Sequence, residues 1–532
     1  MTTTATYSIV GGDYDGAGSA SKQLKGILKR IGVEPKTLRK VMIAAYETEM
    51  NTVIHAQRGL MKVAVDPTQV DVAVEDEGPG IPDVEAAMQE GFSTAPARAR
   101  KLGFGAGMGL PNVQKNTDQF SIRSTVGLGT QVRFRIFLQP QASSAPAPNA
   151  VHVAPGLCRQ CLRCLHACPT QAMRVRVDRP QVLAHLCVDC ASCIEVCEAG
   201  ALTMDVTDAL PDSSEASVLV IPVSLLEQFG PDVDPAAVLE ALHDAGFRNV
   251  QHSGAWETAL RTAVEAYARV ETGVRPVISP MCPAVLNLIQ VRYPSLLGHV
   301  APFLTPIEAA HEQLTVPHAV FVPVCPSQHT ILRSPSLLSK IDVASASAMR
   351  RAVLERMGEP GGRHYDAAIR EVPRNRGDVL HASGMRRVVK VLDEIENGLK
   401  ADCGVIELFA CSQGCFGAPV WDEDPLVARR RYERSLTWYR AQGKQYDGTA
   451  KAGAVRRIRP LEPRAGLRLD PDMRTAIEKL ARIDTLTRTL PGRNCGVCGA
   501  PTCAALAEDI VLGRASISAC VYLDHIPTEE AT

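Results

Sequence analysis

The sequence lacks the features that mark several large classes of proteins. Its 57 Lys and Arg residues nearly balance 58 Asp and Glu residues, and a formal net charge of −1 argues against nucleic-acid binding. The N-terminal residues contain no basic region followed by an apolar run, so no secretory signal is expected. No run of about 18 or more apolar residues occurs, so no membrane span is expected.

Cysteine, by contrast, is abundant. The chain has 532 residues and 17 cysteines, with ordinary fractions of hydrophobic (45%) and charged (22%) residues. Its length suggests about three or four domains. Without a secretory signal, so many thiols predict metal ligation in a reducing cytoplasm rather than disulfides.

The densest cysteine stretch runs from Cys158 to Cys197. It repeats the spacing Cys-x2-Cys-x2-Cys-x3-Cys, which is typical of bacterial ferredoxins with two [4Fe-4S] clusters, where the fourth cysteine of each run ligates the other cluster. One predicted cluster is held by Cys158, Cys161, Cys164 and Cys197. The other is held by Cys187, Cys190, Cys193 and Cys168. Two structural zinc sites are the alternative, although these favour separated Cys-x2-Cys pairs.

Four short motifs follow one another near the N-terminus. A predicted helix over residues 35–57 carries Glu47 and Asn51, and a predicted hairpin (60–65 and 69–75) leads into Asp76. Glycines dominate the other motifs: Gly78 and Gly80, then Gly105, Gly107 and Gly109, and last Gly127 to Thr130. An Asn can help to ligate Mg²⁺, an Asp can accept a hydrogen bond from an adenine amino group, and a glycine-rich stretch before a helix offers bare N–H groups to phosphates.

In this order, the motifs resemble the GHKL ATPase superfamily and, within it, the anti-sigma-factor serine kinases. The resemblance covers residues 5–140 and implies ATP with Mg²⁺ as the ligand. It implies that Asn51 holds Mg²⁺, Asp76 reads adenine and Glu47 is the general base. The remaining nucleotide-binding residues that it implies are Gly78, Gly80, Gly105, Gly107, Gly109 and Thr130. One alternative is a fold that has lost ATP, and another is nucleotide binding as a switch without kinase activity.

Predicted strands and helices alternate over residues 216–445, which favours a layered α/β domain. Three of these strands end in cysteine, at Cys282, Cys325 and Cys411, and Cys415 follows closely. Four thiols at strand ends could converge on one metal centre. The alternative is that they are small core residues.

This region resembles the large subunit of iron-only ([FeFe]) hydrogenases from about residue 218 to 419. The resemblance implies that Cys282, Cys325, Cys411 and Cys415 ligate the [4Fe-4S] half of the hydrogen-activating cluster. Met281 replaces the family's proton-relaying cysteine, and Gln328 replaces the lysine that binds a diiron cyanide. Phe416 and Pro419 stand where the family has small residues. We therefore expect a plain [4Fe-4S] cluster without hydrogen chemistry, with retention of the diiron site as the alternative.

The C-terminal residues 470–532 carry a further cysteine pattern, Cys-x2-Cys-x4-Cys-x16-Cys, formed by Cys495, Cys498, Cys503 and Cys520. The pattern and its lead-in from Leu490 resemble the Fe–S domain of the ferredoxin–NAD oxidoreductase B subunit and of corrinoid proteins. The resemblance implies a [4Fe-4S] cluster, and zinc is the alternative. Among the 17 cysteines, Cys403 alone is left without a predicted cluster.

The expected fold is a multidomain α/β protein. It comprises an N-terminal α+β GHKL (Bergerat) sandwich (1–140), a Pro/Ala/Ser-rich linker (141–156), a 2[4Fe-4S] ferredoxin insert (157–205), a hydrogenase-like α/β domain (216–445) and a small helical Fe–S domain (470–532).

Four [4Fe-4S] clusters with ATP predict an electron-transfer subunit of an oxidoreductase complex. Because no flavin or NAD motif is present, electrons would enter from a redox partner, either a flavin-bearing NADH dehydrogenase subunit or a ferredoxin. The first alternative is a redox-sensing serine/threonine kinase of the anti-sigma type, which would act on a regulatory protein. An active [FeFe] hydrogenase is the second alternative.

Overall fold

The computed structural model forms two compact units, Met1–Pro146 with Arg464–Thr532, and Ala147–Pro463. It describes residues 2–96, 99, 107–138, 149–176, 179–204, 210, 217–230, 233–270, 274–314, 316, 318–333, 341–357, 379–400, 403–441, 453–464 and 469–523. Gly105 and most of the expected linker lie outside these residues. Within the described ranges, no helix combines the length and the apolar character needed to cross a bilayer.

An antiparallel five-stranded sheet forms the N-terminal part of the first unit, in the order β1-β2-β3-β5-β4. Its strands are β1 Thr3–Val10, β2 Arg58–Val65, β3 Gln69–Asp76, β4 Gln119–Thr125 and β5 Gly129–Phe137. Alternate residues such as Val63 and Val72 are buried, because side chains alternate between the two faces of a strand. The predicted hairpin is present as β2 and β3.

Helices cover one face of this sheet. They are α1 Ser19–Arg30, α2 Pro35–His55, α3 Val84–Ala87 and α4 Gly109–Lys115. The long helix α2 begins at Pro35, where the Glu34 side chain accepts a hydrogen bond from the Thr37 N–H and caps the first turn. Its buried residues Val41 and Ala45 pack into the core against the sheet.

The second unit begins with a small module made of two strand pairs and two short helices. Its elements are β6 Val151–Val153, α5 Arg163–Ala167, β7 Met173–Arg176, β8 Arg179–Val182, α6 Ser192–Glu195 and β9 Leu202–Met204. Strand β6 pairs with β9, and β7 pairs with β8. Each short helix begins inside one of the two cysteine runs.

The rest of the second unit contains two parallel sheets, in the orders β11-β10-β13-β14 and β12-β16-β15. The strands are β10 Ser217–Ile221, β11 Asn249–His252, β12 Val277–Ile278, β13 His318–Phe321, β14 Ile341–Val343, β15 Val379–Ser383 and β16 Val405–Phe409. Strand β12 has only two residues, and Pro276, which offers no N–H for pairing, directly precedes it.

Helices connect these parallel strands. They are α7 Pro235–Asp244, α8 Gly254–Val270, α9 Pro283–Arg292, α10 Pro306–Gln313, α11 Pro326–Leu332, α12 Ala346–Met357, α13 Met385–Glu396 and α14 Pro425–Ala441. Cysteines follow the carboxyl ends of β12, β13 and β16, which is the edge where parallel α/β sheets bind their ligands.

The C-terminal segment returns to the first unit as α15 Met473–Thr489 and α16 Cys503–Val511. Asp472 caps α15 through the Thr475 N–H, and Thr502 caps α16 through the Ala505 N–H. Ile477 and Leu480 of α15 share one hydrophobic core with Leu24 and Leu28 of α1. The two ends of the chain, which the sequence treats as separate modules, are therefore one packed body.

Candidate functional site

Helix α2 and the start of α4 meet at the expected nucleotide site. Glu47 and Asn51 lie one turn apart on α2, so they share a face. A Cβ atom added to Gly109 would lie 3.2 Å from Asn51 Oδ1 and 3.3 Å from Glu47 Oε2. A Cβ atom on Gly107, whose φ is +75°, would lie 2.4 Å from the Gly91 carbonyl carbon. Glycine at position 109 therefore allows the glycine-rich stretch to approach α2 closely, and glycine at position 107 allows it to approach the backbone at Gly91.

Glu47 makes a contact that the sequence analysis missed. Its Oε1 accepts a hydrogen bond of 2.8 Å from Asn112 Nδ2 of α4. Burial raises the pKa of the Glu47 carboxyl, and the bond from Asn112 opposes this rise. The sequence signal for Asn112 was available, since a polar residue three positions after Gly109 lies on the same face of a helix.

Asp76, at the end of β3, is held by backbone groups. Its Oδ1 accepts a hydrogen bond of 3.1 Å from the Thr130 N–H. Burial raises the pKa of Asp76, while the N–H groups of Thr130 and Gly78 oppose that rise. Glycines allow the approach, since a Cβ on Gly129 (φ +123°) would lie 2.0 Å from the Asp76 carbonyl oxygen. A Cβ atom on Gly80 would lie 2.3 Å from the Thr125 carbonyl oxygen.

Glu47 and Asn51 therefore lie beside Gly109, and Asp76 lies beside the backbone at Gly78, Gly129 and Thr130. An Mg²⁺–nucleotide needs oxygen ligands for the metal, a hydrogen-bond acceptor for the base and N–H donors for phosphates. The described donor set fits that ligand.

The ferredoxin-like cysteines form two groups, and each contains one thiol from the other run. Burial raises the pKa of Cys164 to about 11, with Cys161, Cys197 and Cys158 contributing as neighbours. Burial likewise raises the pKa of Cys193, and the neighbouring thiols Cys190, Cys168 and Cys164 raise it further. Cys197 therefore lies near thiols of the first run and Cys168 near thiols of the second, while the assignment of four ligands to each cluster stays a prediction.

The loops that carry these thiols have matching backbones. Gln160 and Leu162 have φ values of 51° and 62°, and the equivalent Asp189 and Ala191 have values of 54° and 65°. Such left-handed residues cost energy and are retained where surrounding structure requires them. Backbone N–H groups point at sulfur in the first run, as from Ala172 to Cys168 Sγ at 3.2 Å.

Glu198 stands where the second run usually has proline. Its carboxylate forms an exposed ion pair with Arg163 of the first run. The departure from the ferredoxin pattern therefore leaves the thiol grouping intact.

The four central thiols also come together. Burial is the main cause of the raised pKa of Cys411. The neighbouring thiols raise it further; they are Cys325, Cys282, Cys415 and Cys190. Cys282 receives backbone N–H groups from residues 284, 285 and 410, which oppose the rise that burial causes in its pKa. Because Cys190 belongs to the ferredoxin-like module, this central group lies beside one of the two groups in that module.

Three hydrogen bonds fix the ferredoxin-like module on the central part of the same unit. Thr330 Oγ1 donates to Asp189 Oδ2 at 2.8 Å, and Asn287 Nδ2 donates to the Val188 carbonyl at 3.3 Å. Arg292 Nη1 donates to the Pro169 carbonyl at 3.1 Å. No prediction from the sequence covered Asp189. An acidic residue inside a cysteine run is the feature that could have pointed to it.

A cavity of about 50 Å³ lies beside Cys415 and is lined by Met281, Gln328 and Glu257 among others. Phe416 is not among the residues that line the cavity, and its ring instead packs 5.2 Å from that of Tyr432 in the core. The cavity walls nevertheless carry the two replaced positions, Met281 and Gln328.

The last four expected ligands line one small pocket. They are Cys495, Cys498, Cys503 and Cys520. Asn494 Oδ1 accepts a 2.8 Å hydrogen bond from the Cys503 N–H and so ties the loop to the start of α16. Among the described residues, no three His, Cys, Asp or Glu side chains are arranged to hold a single metal ion. The donor sets consist of four thiols each, and such sets suit iron–sulfur clusters.

Four family models match the chain. The histidine kinase-like ATPase domain matches residues 13–136, and the 4Fe-4S dicluster domain matches residues 150–198. The C-terminal domain of the iron-only hydrogenase large subunit matches residues 218–314, which include Cys282 but end before Cys325. The Fe-S cluster model matches residues 490–522.

The serine/threonine-protein kinase RsbT of Bacillus subtilis (strain 168) is 33% identical over 119 residues, which are 21% of this chain and 84% of that kinase. An anti-sigma F factor of Pasteuria penetrans is 36% identical over 115 residues, 20% of this chain and 73% of that factor. Through its N-terminal domain, the chain belongs to the histidine kinase-like ATPases. This ATPase domain is joined to ferredoxin-like and hydrogenase-like parts.

Two further similarities concern this ATPase-containing chain. The corrinoid/iron-sulfur protein large subunit of Moorella thermoacetica is 43% identical over 42 residues, 8% of this chain and 9% of that subunit. A solved structure of the [FeFe]-hydrogenase HydA1 from Chlamydomonas reinhardtii aligns with a TM-score of 0.33 at 15% identity, covering 46% of this chain and 88% of that one.

Proposed function

We propose that this chain is an ATP-binding electron-transfer protein with four [4Fe-4S] clusters, and that it serves an oxidoreductase complex without evolving hydrogen itself. The proposal rests above all on the hydrogen bonds that hold the second cysteine run of the ferredoxin-like module against the central part, from Thr330 to Asp189 and from Asn287 to Val188. They place Cys190, next to Asp189, near Cys411 of the central group. Adjacent groups of four thiols suit the stepwise passage of single electrons. No amino-acid side chain can replace a cofactor in that chemistry.

The ligands in this proposal are the sixteen cysteines in their four groups. Without metal, burial raises the pKa of thiols such as Cys164 to about 11 and Cys325 to about 12, which keeps them protonated. Iron binding would favour the thiolate form and release protons. When bound, the clusters supply one-electron transfer. The protein holds the thiols in position and directs backbone N–H groups at sulfur, which influences the reduction potential.

Hydrogen chemistry is not part of this proposal. A thioether at Met281 has no proton to relay, and the Gln328 amide lacks the charge of a lysine. The Gln328 Oε1 is also engaged, since it accepts a hydrogen bond of 3.0 Å from the Val324 N–H. Infrared bands from metal-bound CO and cyanide would support the alternative of an active hydrogenase and would contradict this part of the proposal.

In the proposed nucleotide site, Asn51 contributes to Mg²⁺ binding and Asp76 accepts the adenine amino group. The glycine-rich stretch, including Gly107 and Gly109, approaches the phosphates. Glu47 serves as the general base when phosphoryl transfer occurs, because its raised pKa suits proton abstraction. ATP binding would gate the passage of electrons.

Anaerobic reduction tests the electron-transfer proposal. Purified protein is mixed with NADH and a flavin-bearing NADH dehydrogenase subunit, or with reduced ferredoxin, and cluster bleaching is followed by absorbance. We expect all four clusters to be reduced. In Cys411→Ala, the central cluster signal should disappear from EPR spectra, whereas Cys403→Ala should behave like the parent. No reduction by either donor would contradict the proposal.

A second candidate function is a redox-sensing serine/threonine kinase. It is favoured by the 33% identity to RsbT and by the core that the C-terminal cysteine module shares with the ATPase domain. Incubation with γ-labelled ATP and cell extract distinguishes the two functions. Transfer of label to serine or threonine of one small protein, at a rate that depends on cluster oxidation, would support the sensor. Reduction by a donor without any labelling would support electron transfer.

A further inference from the structure

Helix α1 is bound to α2 through a buried carboxylate outside the expected nucleotide-binding set. Glu49 is only 2% exposed. Its two oxygens accept hydrogen bonds from the Ala20 N–H at 3.0 Å and the Ser21 N–H at 2.9 Å, and the Ser21 hydroxyl also donates to it. These donors belong to the first turn of α1, whose N–H groups have no partners within the helix. The start of α1 is therefore fixed to Glu49.

Glu49 occupies a sensitive position on α2. It lies midway between Glu47 and Asn51, two residues from each. In the interior of a packed helix, residues this close move together, because interiors are dense and transmit small shifts. A movement at the start of α1 would therefore reach the two side chains expected at the nucleotide.

The other end of α1 is bound to the C-terminal cysteine module. Arg30 Nη2 lies 2.7 Å from Glu508 Oε2 of α16, and both side chains are about three-quarters covered, with exposures of 26% and 23%. The Leu469 N–H, just before α15, donates to the Arg30 carbonyl at 3.0 Å. Arg30 also opposes the rise in the pKa of Asp484 that burial causes. Side chain and backbone thus hold the end of α1 to both helices of the module.

Helix α16 connects this contact to the last group of thiols. Cys503 is its first residue and Glu508 lies on its second turn. Cys495 and Cys498 stand on the loop that precedes α16, and Cys520 stands on the segment that follows it. A cluster held by these four thiols would fix the position of α16, and its loss would release both the loop and the start of the helix.

We propose that α1 couples the C-terminal cluster to the nucleotide site, with Arg30, Glu508 and Glu49 as positioning residues. The proposal rests on the proposed presence of a cluster and of ATP. With the cluster bound, α16 holds α1 through the Arg30–Glu508 pair, and α1 holds Glu49 and its turn of α2. When the cluster is lost, this restraint weakens and so does the binding of Mg²⁺–ATP. The C-terminal module thereby reports its cluster state to the ATPase domain.

The test uses the full-length protein with clusters reconstituted anaerobically. Mg²⁺–ATP affinity is measured by titration calorimetry for the parent and for the double variant C495S/C498S, whose loss of one cluster is verified by EPR. We expect the Kd to rise by at least about fivefold, which is the lower end of typical coupling between two sites. The same change introduced into an E508Q background should alter the Kd by less than about twofold, because the connection is already broken.

The matched control is R133Q, which breaks an exposed ion pair with Asp71 on the far face of the sheet. In that background, cluster loss should act as strongly as in the parent. An equal effect of cluster loss in the parent and in E508Q would overturn the role of α1. An unchanged Kd after cluster loss in the parent would overturn the coupling itself.

Hydrogen exchange separates this inference from the proposed function. Cluster loss should speed amide exchange in α1 and around residues 47–51 while leaving β2 and β3 protected, whether or not ATP binds. A parent protein that binds no ATP but shows this exchange pattern would contradict the ATP proposal and support the coupling. Protection that is unchanged in α1 would contradict the coupling.

Discussion

At the scale of single residues, the candidate sites depend on burial and on missing side chains. Glu47 and Asp76 are carboxyls whose pKa burial raises, and each is restrained by one or more hydrogen bonds. Glycines 107, 109 and 129 leave room that any Cβ atom would occupy. The chemistry expected of the ATPase domain therefore follows from a few close contacts that substitution can test one at a time.

The pH dependence of phosphoryl transfer tests the role of Glu47. A raised pKa means that the basic form is lost at a higher pH than for an exposed Glu, so the rate should fall as pH decreases through this raised value. Asn112→Ala removes a bond that lowers this pKa, and it should move the acidic limb of the pH–rate profile to still higher pH. Glu47→Gln should reduce the rate by about 10²–10⁴-fold.

These profiles have a clear control. R133Q changes an exposed ion pair away from the site and should leave the acidic limb in place. An acidic limb that stays fixed in Asn112→Ala, or moves to lower pH, would show that another group controls the rate.

Two glycine substitutions test the close approach of α4 to α2. Gly109→Ala would place a methyl group 3.2 Å from Asn51 and 3.3 Å from Glu47. Overpacking of this kind costs about 1–3 kcal/mol, so the Kd for Mg²⁺–ATP should rise by about tenfold. Gly26→Ala is the matched control, since nothing lies within 4 Å of its Cβ position. Titration calorimetry should show equal affinity for Gly26→Ala and the parent, and equal affinity for Gly109→Ala would contradict the approach.

At the scale of elements, local patterns predict structure well where the contacts are local. The hairpin of β2 and β3 and helix α2 both follow from periodicity. Asn112, Glu49 and Asp189 could not be assigned in this way, because their partners come from distant parts of the chain. The packing of the Phe416 ring against Tyr432 likewise could not be read from the sequence, which does not reveal the direction of a side chain on a tight turn.

The shared core of α1 and α15 makes a prediction about stability. Leu480 is fully buried in this core, and Leu480→Ala should lower the free energy of unfolding by about 2–5 kcal/mol. Because the core is common, the ATPase domain and the C-terminal module should unfold in one transition, at a lower denaturant concentration than in the parent. A separate spectroscopic label in each part would follow the two signals. Arg482→Ala, at an exposed position on the same helix, is the control. Separate transitions, with only the C-terminal module weakened, would contradict a shared core.

At the scale of the whole molecule, the chain consists of two compact units with different chemistry. One unit combines the histidine kinase-like ATPase domain with the C-terminal cysteine module. The other combines the dicluster and hydrogenase-like parts, whose thiol groups lie side by side. The sequence indicated these modules through their cysteines and glycines. It did not indicate that the two ends of the chain form one body, because that association depends on apolar surfaces such as those of α1 and α15.

The central claim is that thiols gathered in fours hold cubane clusters in a chain that binds ATP. Iron and acid-labile sulfide analysis with EPR on anaerobically purified protein, with and without Mg²⁺–ATP, tests it most directly. The account predicts a brown protein with four [4Fe-4S] clusters per chain, each with four iron and four sulfide atoms, and spectra that change when ATP is added. Colourless protein that carries zinc in place of iron and sulfide would contradict it.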